Sequence, residues 1–335
     1  MATDIQLEAE ALQLPTKRRR FVHDVYLHRL QRRHFLIFSV LPLLITIAAI
    51  VLAFYRPLTW VDLGLFAGMW FLNGLGMSLG FHRVFSHKCA KLKPSLKVGL
   101  CALGSMAAVG PLLSWVALHR LHHESADMDG DVHSPNLHGS SFWQRTRGFF
   151  HAHYTWMARH QYPNITRYAP DLLKDRTLYR ASQWYVTWIV LGLVIPGVLG
   201  GLITMTWWGA FTGFLWGGVV RMFAVANVFW SLSSFSHLSW FGTRPYRAHN
   251  DFDNAGNNPI FALLSFGEGW HNNHHAFPWS AHHGLFWWSM DYGFWVLKFF
   301  EAIGLAYDVR VPSRKTIASR RVGVVPVQVG EGTIN

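Results

Sequence analysis

An all-α integral membrane protein with four transmembrane helices is the fold class the sequence predicts, and three observations predict it. The chain of 335 residues is 51% hydrophobic and 16% aromatic but only 14% charged, well below the roughly 25% charged residues of a soluble domain. Long stretches without a single Asp, Glu, Lys or Arg recur along it, and about 20 apolar residues are enough to cross a bilayer as a helix. Nine of its twenty histidines fall near the ends of those stretches: His82 and His87; His119, His122 and His123; His237; and His271, His274 and His275.

The elements follow in order. Residues 1–34 form a basic segment containing Lys17, Arg18, Arg19, Arg20, Arg29, Arg32 and Arg33, without the apolar core and small-residue cleavage site of a secretory signal. The membrane domain is read as residues 35–308. Its first span is Phe35 to Tyr55; after a link holding Arg56, Pro57 and Asp62, the second is Leu63 to Phe81. Val98 to Leu118 is also uncharged, but Gly104, Gly110, Pro111 and Ser114 weaken it as a spanning helix. A crossing there would put His82 and His87 on the opposite side from His119, His122 and His123. The segment is therefore read as re-entrant or interfacial, which is acceptable where protein covers the backbone. Ala181 to Val220, extended toward His237 and punctuated by Pro196, Gly197, Gly200 and Gly201, is long enough for two spans, about 183–201 and 204–230. Residues 309–335 form a tail, and Pro312 to Asn335 reads as loosely held, with no assignable role.

Four crossings place every histidine cluster and both termini on one side. The link between the first two spans has one Arg and the link near Gly200 to Thr206 has no Lys or Arg, so the positive-inside bias makes the histidine side cytoplasmic. The net charge of +12 does not point to nucleic acid: the basic residues flank spans, where anionic lipid attracts them, and no nucleic-acid-binding motif accompanies them. Cys89 and Cys101 read as buried thiols rather than a disulfide framework.

The histidine spacing carries chemistry. His119, His122 and His123 stand at i, i+3 and i+4, which gathers three imidazoles on one face of a helix as a facial metal grip; His271, His274 and His275 repeat the spacing. His82 and His87, five apart, diverge on a straight α-helix and are expected where the second span ends and the chain bends. A zinc-type site takes about four ligands or fewer, so eight or nine imidazoles imply two metals. Imidazole suits Zn, Cu, Fe and Ni alike, so the ligands alone do not name the element. The other eleven histidines, His283 among them, read as interfacial or solvated; His133, following Asp127 and Asp131, is the one with a possible place behind the ligands. A metal transporter would hold its ligands within the spans along a path, whereas these lie at span ends.

Three segments carry a family resemblance. His82-Arg-Val-Phe-Ser-His87, His119-Arg-Leu-His122-His123 and Gly267-Glu-Gly-Trp-His271-Asn-Asn-His274-His275-Ala-Phe-Pro278 resemble the three histidine boxes of the membrane acyl-CoA desaturases, the stearoyl-CoA Δ9 type of bacteria and eukaryotes. The resemblance runs from about Phe35 to Asp308, with Asp127, Asp131, Arg244-Pro-Tyr246 and Asn257-Asn258 at matching positions. It implies a four-helix membrane stalk under a cytosolic helical cap. It also implies two iron ions held by the nine histidines, with His237 at the end of the fourth span, and O2 as co-substrate. The reaction implied is insertion of a cis double bond, at or near Δ9, into a saturated chain borne by CoA or a lipid. Asp127, Asp131 and Glu268 are expected to orient the ligands through their second nitrogen. Ser233 stands where the family commonly has an Asn holding a metal-bound water. Arg221, costly in hydrocarbon, is expected to turn toward a polar partner. Phe66 and Trp70, one turn apart on the second span, are expected to floor an apolar substrate tunnel. A separate electron donor, a ferredoxin or a cytochrome b5-like protein with its reductase, is expected to dock on the cap. A related diiron hydroxylase or ketolase is the alternative, which the flank of the third box disfavours.

Overall fold

A computed structural model describes residues 19–323; Lys17 and Arg18 of the basic segment and residues 324–335 of the tail lie outside them. Helix α1 (Val25–Tyr55) starts well before Phe35, because the Asp24 side chain accepts the backbone N–H groups of Tyr26 and Leu27 and caps it. Helix α2 (Trp60–Ser86) starts on a reciprocal cap between Thr59 and Asp62. Both are long and apolar enough to cross a membrane.

The uncharged stretch 98–118 is not one helix. It is divided between α3 (Pro94–Ser105) and α4 (Leu112–Ser125), about 18 and 21 Å long at 1.5 Å per residue, short of the roughly 30 Å of hydrocarbon. Left-handed backbone at Ala108 (φ 56°) and Gly110 (φ 117°) turns the chain between them, and both helices pack on the last turns of α2. Helix α5 (Phe142–His153) follows, then α6 (Tyr185–Thr204) and α7 (Trp207–Ser234), the other two helices long and apolar enough to span. Small residues let α6 and α7 touch: a Cβ on Gly200 would lie 2.2 Å from the Gly209 carbonyl. Arg221 of α7 is fully buried and donates to Asn73 and to the carbonyls of Met106 (2.9 Å), Gly192 (2.6 Å) and Gly217 (3.0 Å). Its guanidinium thus meets only neutral acceptors among the described residues.

The cap is completed by α8 (His271–Ala276), α9 (Tyr292–Ala302) and α10 (Arg314–Ser319). Two short antiparallel pairs tie it down: Phe21–Val22 against Tyr162–Pro163, and Lys91–Leu92 against Ala306–Tyr307. The tail departs from its sequence reading. Ser313 caps α10; Ile317 packs on Tyr246, Ala276 and Phe277; Arg320 donates to the Ala276 carbonyl at 2.7 Å; and Val322 donates to the Pro245 carbonyl at 2.9 Å. Residues up to Val322 are therefore a clamp over α8. Composition averaged over the whole tail hides a cap and one apolar anchor.

Candidate metal centre

Three local structures aim the histidines. From Gly76 to Ser86, α2 widens to π-helical hydrogen bonding, and the His87 N–H reaches the His82 carbonyl at 3.3 Å. An i→i+5 turn brings residues five apart onto the same side of the helix, so the His82 and His87 rings meet at 5.1 Å instead of diverging as on an α-helix. Helix α4 carries the second cluster on regular turns. Helix α8, with six residues, is too short to be stable alone and is held by its asparagines. Asn272 exchanges hydrogen bonds with the Tyr246 backbone, both 3.0 Å, and Asn273 with the Asn257 side chain at 2.7 and 3.1 Å.

The nine histidines converge as two groups, within each of which the candidate ligand atoms lie inside 4.8 Å of one another. His82, His87, His119, His123 and His274 form one; His122, His237, His271 and His275 form the other. This corrects the expectation of one facial grip per cluster. In α4 the i, i+4 pair His119 and His123 serves the first group and His122 the second; in α8 the pair His271 and His275 serves the second and His274 the first. Two helices facing each other share both sites, a division invisible to either spacing alone.

Carboxylates fix the outer nitrogens. Nδ1 of His82 lies 2.5 Å from Glu268, Nδ1 of His122 2.9 Å from Asp131, Nδ1 of His237 2.9 Å from Asp127, and Nδ1 of His275 2.6 Å from Asp253. A proton on Nδ1 leaves Nε2 with a lone pair, and the Nε2 atoms point inward. His82 and His274 approach to 3.0 Å, His87 and His119 to 2.7 Å, His123 and His274 to 2.9 Å, and His237 and His271 to 3.1 Å. Lone pairs at that range repel; a cation between them reverses the sign, since two bonds of about 2.1 Å at right angles hold nitrogens about 3 Å apart. The Nε2 of His275 is buried with no hydrogen-bond partner among the described residues.

Charge fits as well. Burial would push the carboxyls of Asp127, Asp131 and Asp253 up, but the imidazoles of His237, His122 and His275 hold all three below the usual range. Burial opposes Glu268 ionisation too, and Arg83 with His82 overcomes it. Four buried carboxylates match the charge of two divalent cations, while Arg83 is offset by Asp291 at 2.8 Å. Burial and neighbouring imidazoles hold His87, His119, His123, His271 and His274 well below the ordinary histidine range, leaving them free to ligate. Burial would lower His237 also, but Asp127 lifts it to about 9; a bound cation would take that proton's place.

A cavity opens beside the centre, bounded by His82, His119, His122 and His271 and walled by Val109, Trp115, Phe229 and Trp230, with Ser233 on its lining. Phe66 and Trp70 do not line it: Trp70 packs in the apolar cluster shared by Val109, Trp115 and Phe229, and Phe66 in a separate one with Ala49, Leu215 and Val220. Two histidines read as interfacial or solvated are buried at the centre. The His133 ring lies tilted 4.4 Å from that of His122 and lines the cavity, and His283 lies 3.0 Å from Glu268. Asp253, Arg83 and Asp291 join the centre without a spacing or composition signal in the sequence. Asp253 sits in the polar run Asn250-Asp-Phe-Asp-Asn254, which has the composition of a surface turn; only folding brings it under His275.

The comparisons agree with this geometry. Residues 63–308 match the profile of a family described as fatty acid desaturase. The chain is 45% identical over 309 residues to a hex-5-enoyl-[acyl-carrier protein] acetylenase of Moorena producens, covering 92% of this chain and 95% of that protein. It is 33% identical over 251 residues to an sn-1 stearoyl-lipid 9-desaturase of Synechocystis, covering 74% and 71%. An acyl-CoA C20 Delta5-desaturase of Anemone leveillei is also 33% identical, over 273 residues, covering 78% and 79%.

Proposed function

We propose, from the premise that this chain belongs to the fatty acid desaturase family, that it is a membrane diiron oxidoreductase that uses O2 to insert a cis double bond into a fatty acyl thioester. The observation that supports this best is the pair of imidazole groups backed by four carboxylates. Two irons held by those nine histidines would supply the oxidising power that no side chain has against an unactivated methylene.

The remaining work falls to the chain's own residues. Asp127, Asp131, Asp253 and Glu268 hold the Nδ1 protons and aim the imidazoles. The apolar walls of the cavity hold the reacting carbons against the centre and exclude water. Ser233, four residues before His237, offers a hydroxyl that can hold a water there. The balance requires a partner: two C–H bonds yield two electrons and two protons, whereas O2 leaving as two waters takes four of each. A separate donor, a ferredoxin or a cytochrome b5-like protein, supplies the other two electrons at the cap, and solvent the protons. The cap lies in the cytoplasm on this reading, because the first turns of α1 carry Arg29, Arg32 and Arg33 and the turn between α6 and α7 has no Lys or Arg.

Among carriers, the similarity to the acetylenase, greater and more nearly full-length than to the lipid and CoA enzymes, favours an acyl carrier protein; acyl-CoA, also a thioester, is second. Trp70, in the same apolar cluster as the walls Val109, Trp115 and Phe229, would bound the chain and favours one shorter than stearoyl. The test is the full-length protein in nanodiscs with iron and reduced ferredoxin. It is offered carrier-protein and CoA thioesters of six to eighteen carbons, saturated or monoenoic, and products are located by mass spectrometry. A new alkene supports the reading, and Trp70→Ala should lengthen the preferred chain. An alkyne from a 5-enoyl chain would favour the acetylenase reaction that the 45% identical relative's name describes. A hydroxylated product, or no product from an iron-loaded sample, overturns desaturation.

A further inference from the structure

The carboxylate that supports His82 has a further donor outside the nine histidines. Glu268 is fully buried, and each of its oxygens meets two donors. Oε1 accepts from the Ser78 hydroxyl and from Arg83 Nε at 2.9 Å; Oε2 faces His82 Nδ1 at 2.5 Å and His283 Nδ1 at 3.0 Å. Oε1 is satisfied by hydrogen bonds, whereas Oε2 meets the two imidazoles at ion-pair distance, without a well-aligned hydrogen bond to either. Ser78, His82 and Arg83 all belong to α2. His283, in the loop after α8, is the donor that ties this carboxylate to another part of the chain.

The placement of His283 is over-determined. Its backbone N–H donates to Asp291 at 2.8 Å, and its carbonyl accepts from Asn273 at 2.8 Å. Its ring lies 4.6 Å from that of His274 and 5.4 Å from that of His82. His82, Glu268 and His283 are also close enough to hold a cation themselves. Arg83 decides against that: a guanidinium already sits on the same carboxylate, and a second cation beside it would be repelled at full burial.

We infer that His283 is a positioning residue of the metal centre: by sharing Oε2 of Glu268 with His82 it fixes the orientation of His82 in the five-histidine group. The inference rests on the diiron reading. Without His283, Oε2 of Glu268 is left with His82 alone, and the aim of His82 loosens although Oε1 stays on Ser78 and Arg83; loss of such an outer partner typically weakens metal binding by about 10–100-fold.

The test uses the full-length protein in nanodiscs loaded with ferrous iron. It records iron per chain and the rate at which a ferrous chelator removes it, for the wild type and for His283→Phe, His283→Gln and His283→Asn. The Asn amide nitrogen sits where Nδ1 sits and keeps the bond to Glu268; Gln places its amide near Nε2 and loses it. One of two irons should leave about 10–100-fold faster from the Phe and Gln variants, with Asn restoring slow release. Gln serves where Phe prevents folding, since it remains polar and similar in size. Wild-type release rates in Phe or Gln, or Asn releasing as fast as Gln, overturn the inference. A wild type that binds fewer than two irons overturns the diiron reading instead.

Discussion

Asp253 reaches His275 at 2.6 Å from a loop remote from every histidine box, and its role shows how supports differ from ligands. A clustered ligand stands at a spacing its neighbours share, so eight of the nine histidines are legible from spacing, and His237 only from the resemblance. A support needs only to arrive, and any loop can deliver it. Asp253→Asn should leave helicity unchanged but lower iron affinity about 10–100-fold, read by chelator competition; unchanged affinity would remove Asp253 from the centre. His283 escaped notice for the same reason: it follows His275 without helical spacing, in a loop whose course only packing fixes.

At the scale of elements, the widened end of α2 does what an α-helix could not. It brings His82 and His87 together, and it needs close support from α3. A Cβ on Gly76 would lie 2.2 Å from the backbone nitrogen of Gly104, whereas Gly68, higher on α2, has open space around it. Gly76→Ala must push α3 away, and overpacking of this kind costs about 1–3 kcal/mol. It should lower the melting temperature and the iron content together, while Gly68→Ala leaves both unchanged. Equal effects from the two would separate the glycine contact from the metal centre. Hydropathy found α2 but not its widening, because the composition of Gly76 to Ser86 is compatible with either turn.

The whole molecule is organised by parity. Four crossings would return the chain to the cap, and the ends of α2 and α7 deliver His82 and His237 to the side where α4 and α8 lie. With the native Cys89 and Cys101 buried, a single cysteine at Thr206, in the turn between α6 and α7, should react with an impermeant maleimide in intact cells. One at Lys315, in α10, should react only after permeabilisation. The reverse pattern would invert the orientation.

The sequence by itself determined the fold class, the number of long apolar helices and the three histidine clusters, because hydropathy, charge and spacing are local properties written along the chain; His237 stood apart from them and entered through the family resemblance. Only the tertiary structure decided how those histidines divide five and four, which carboxylates stand behind them, and that the start of the tail clamps α8. Each of these depends on contacts between residues far apart in sequence. The direction in which a side chain meets another helix is set by packing, which no local pattern records.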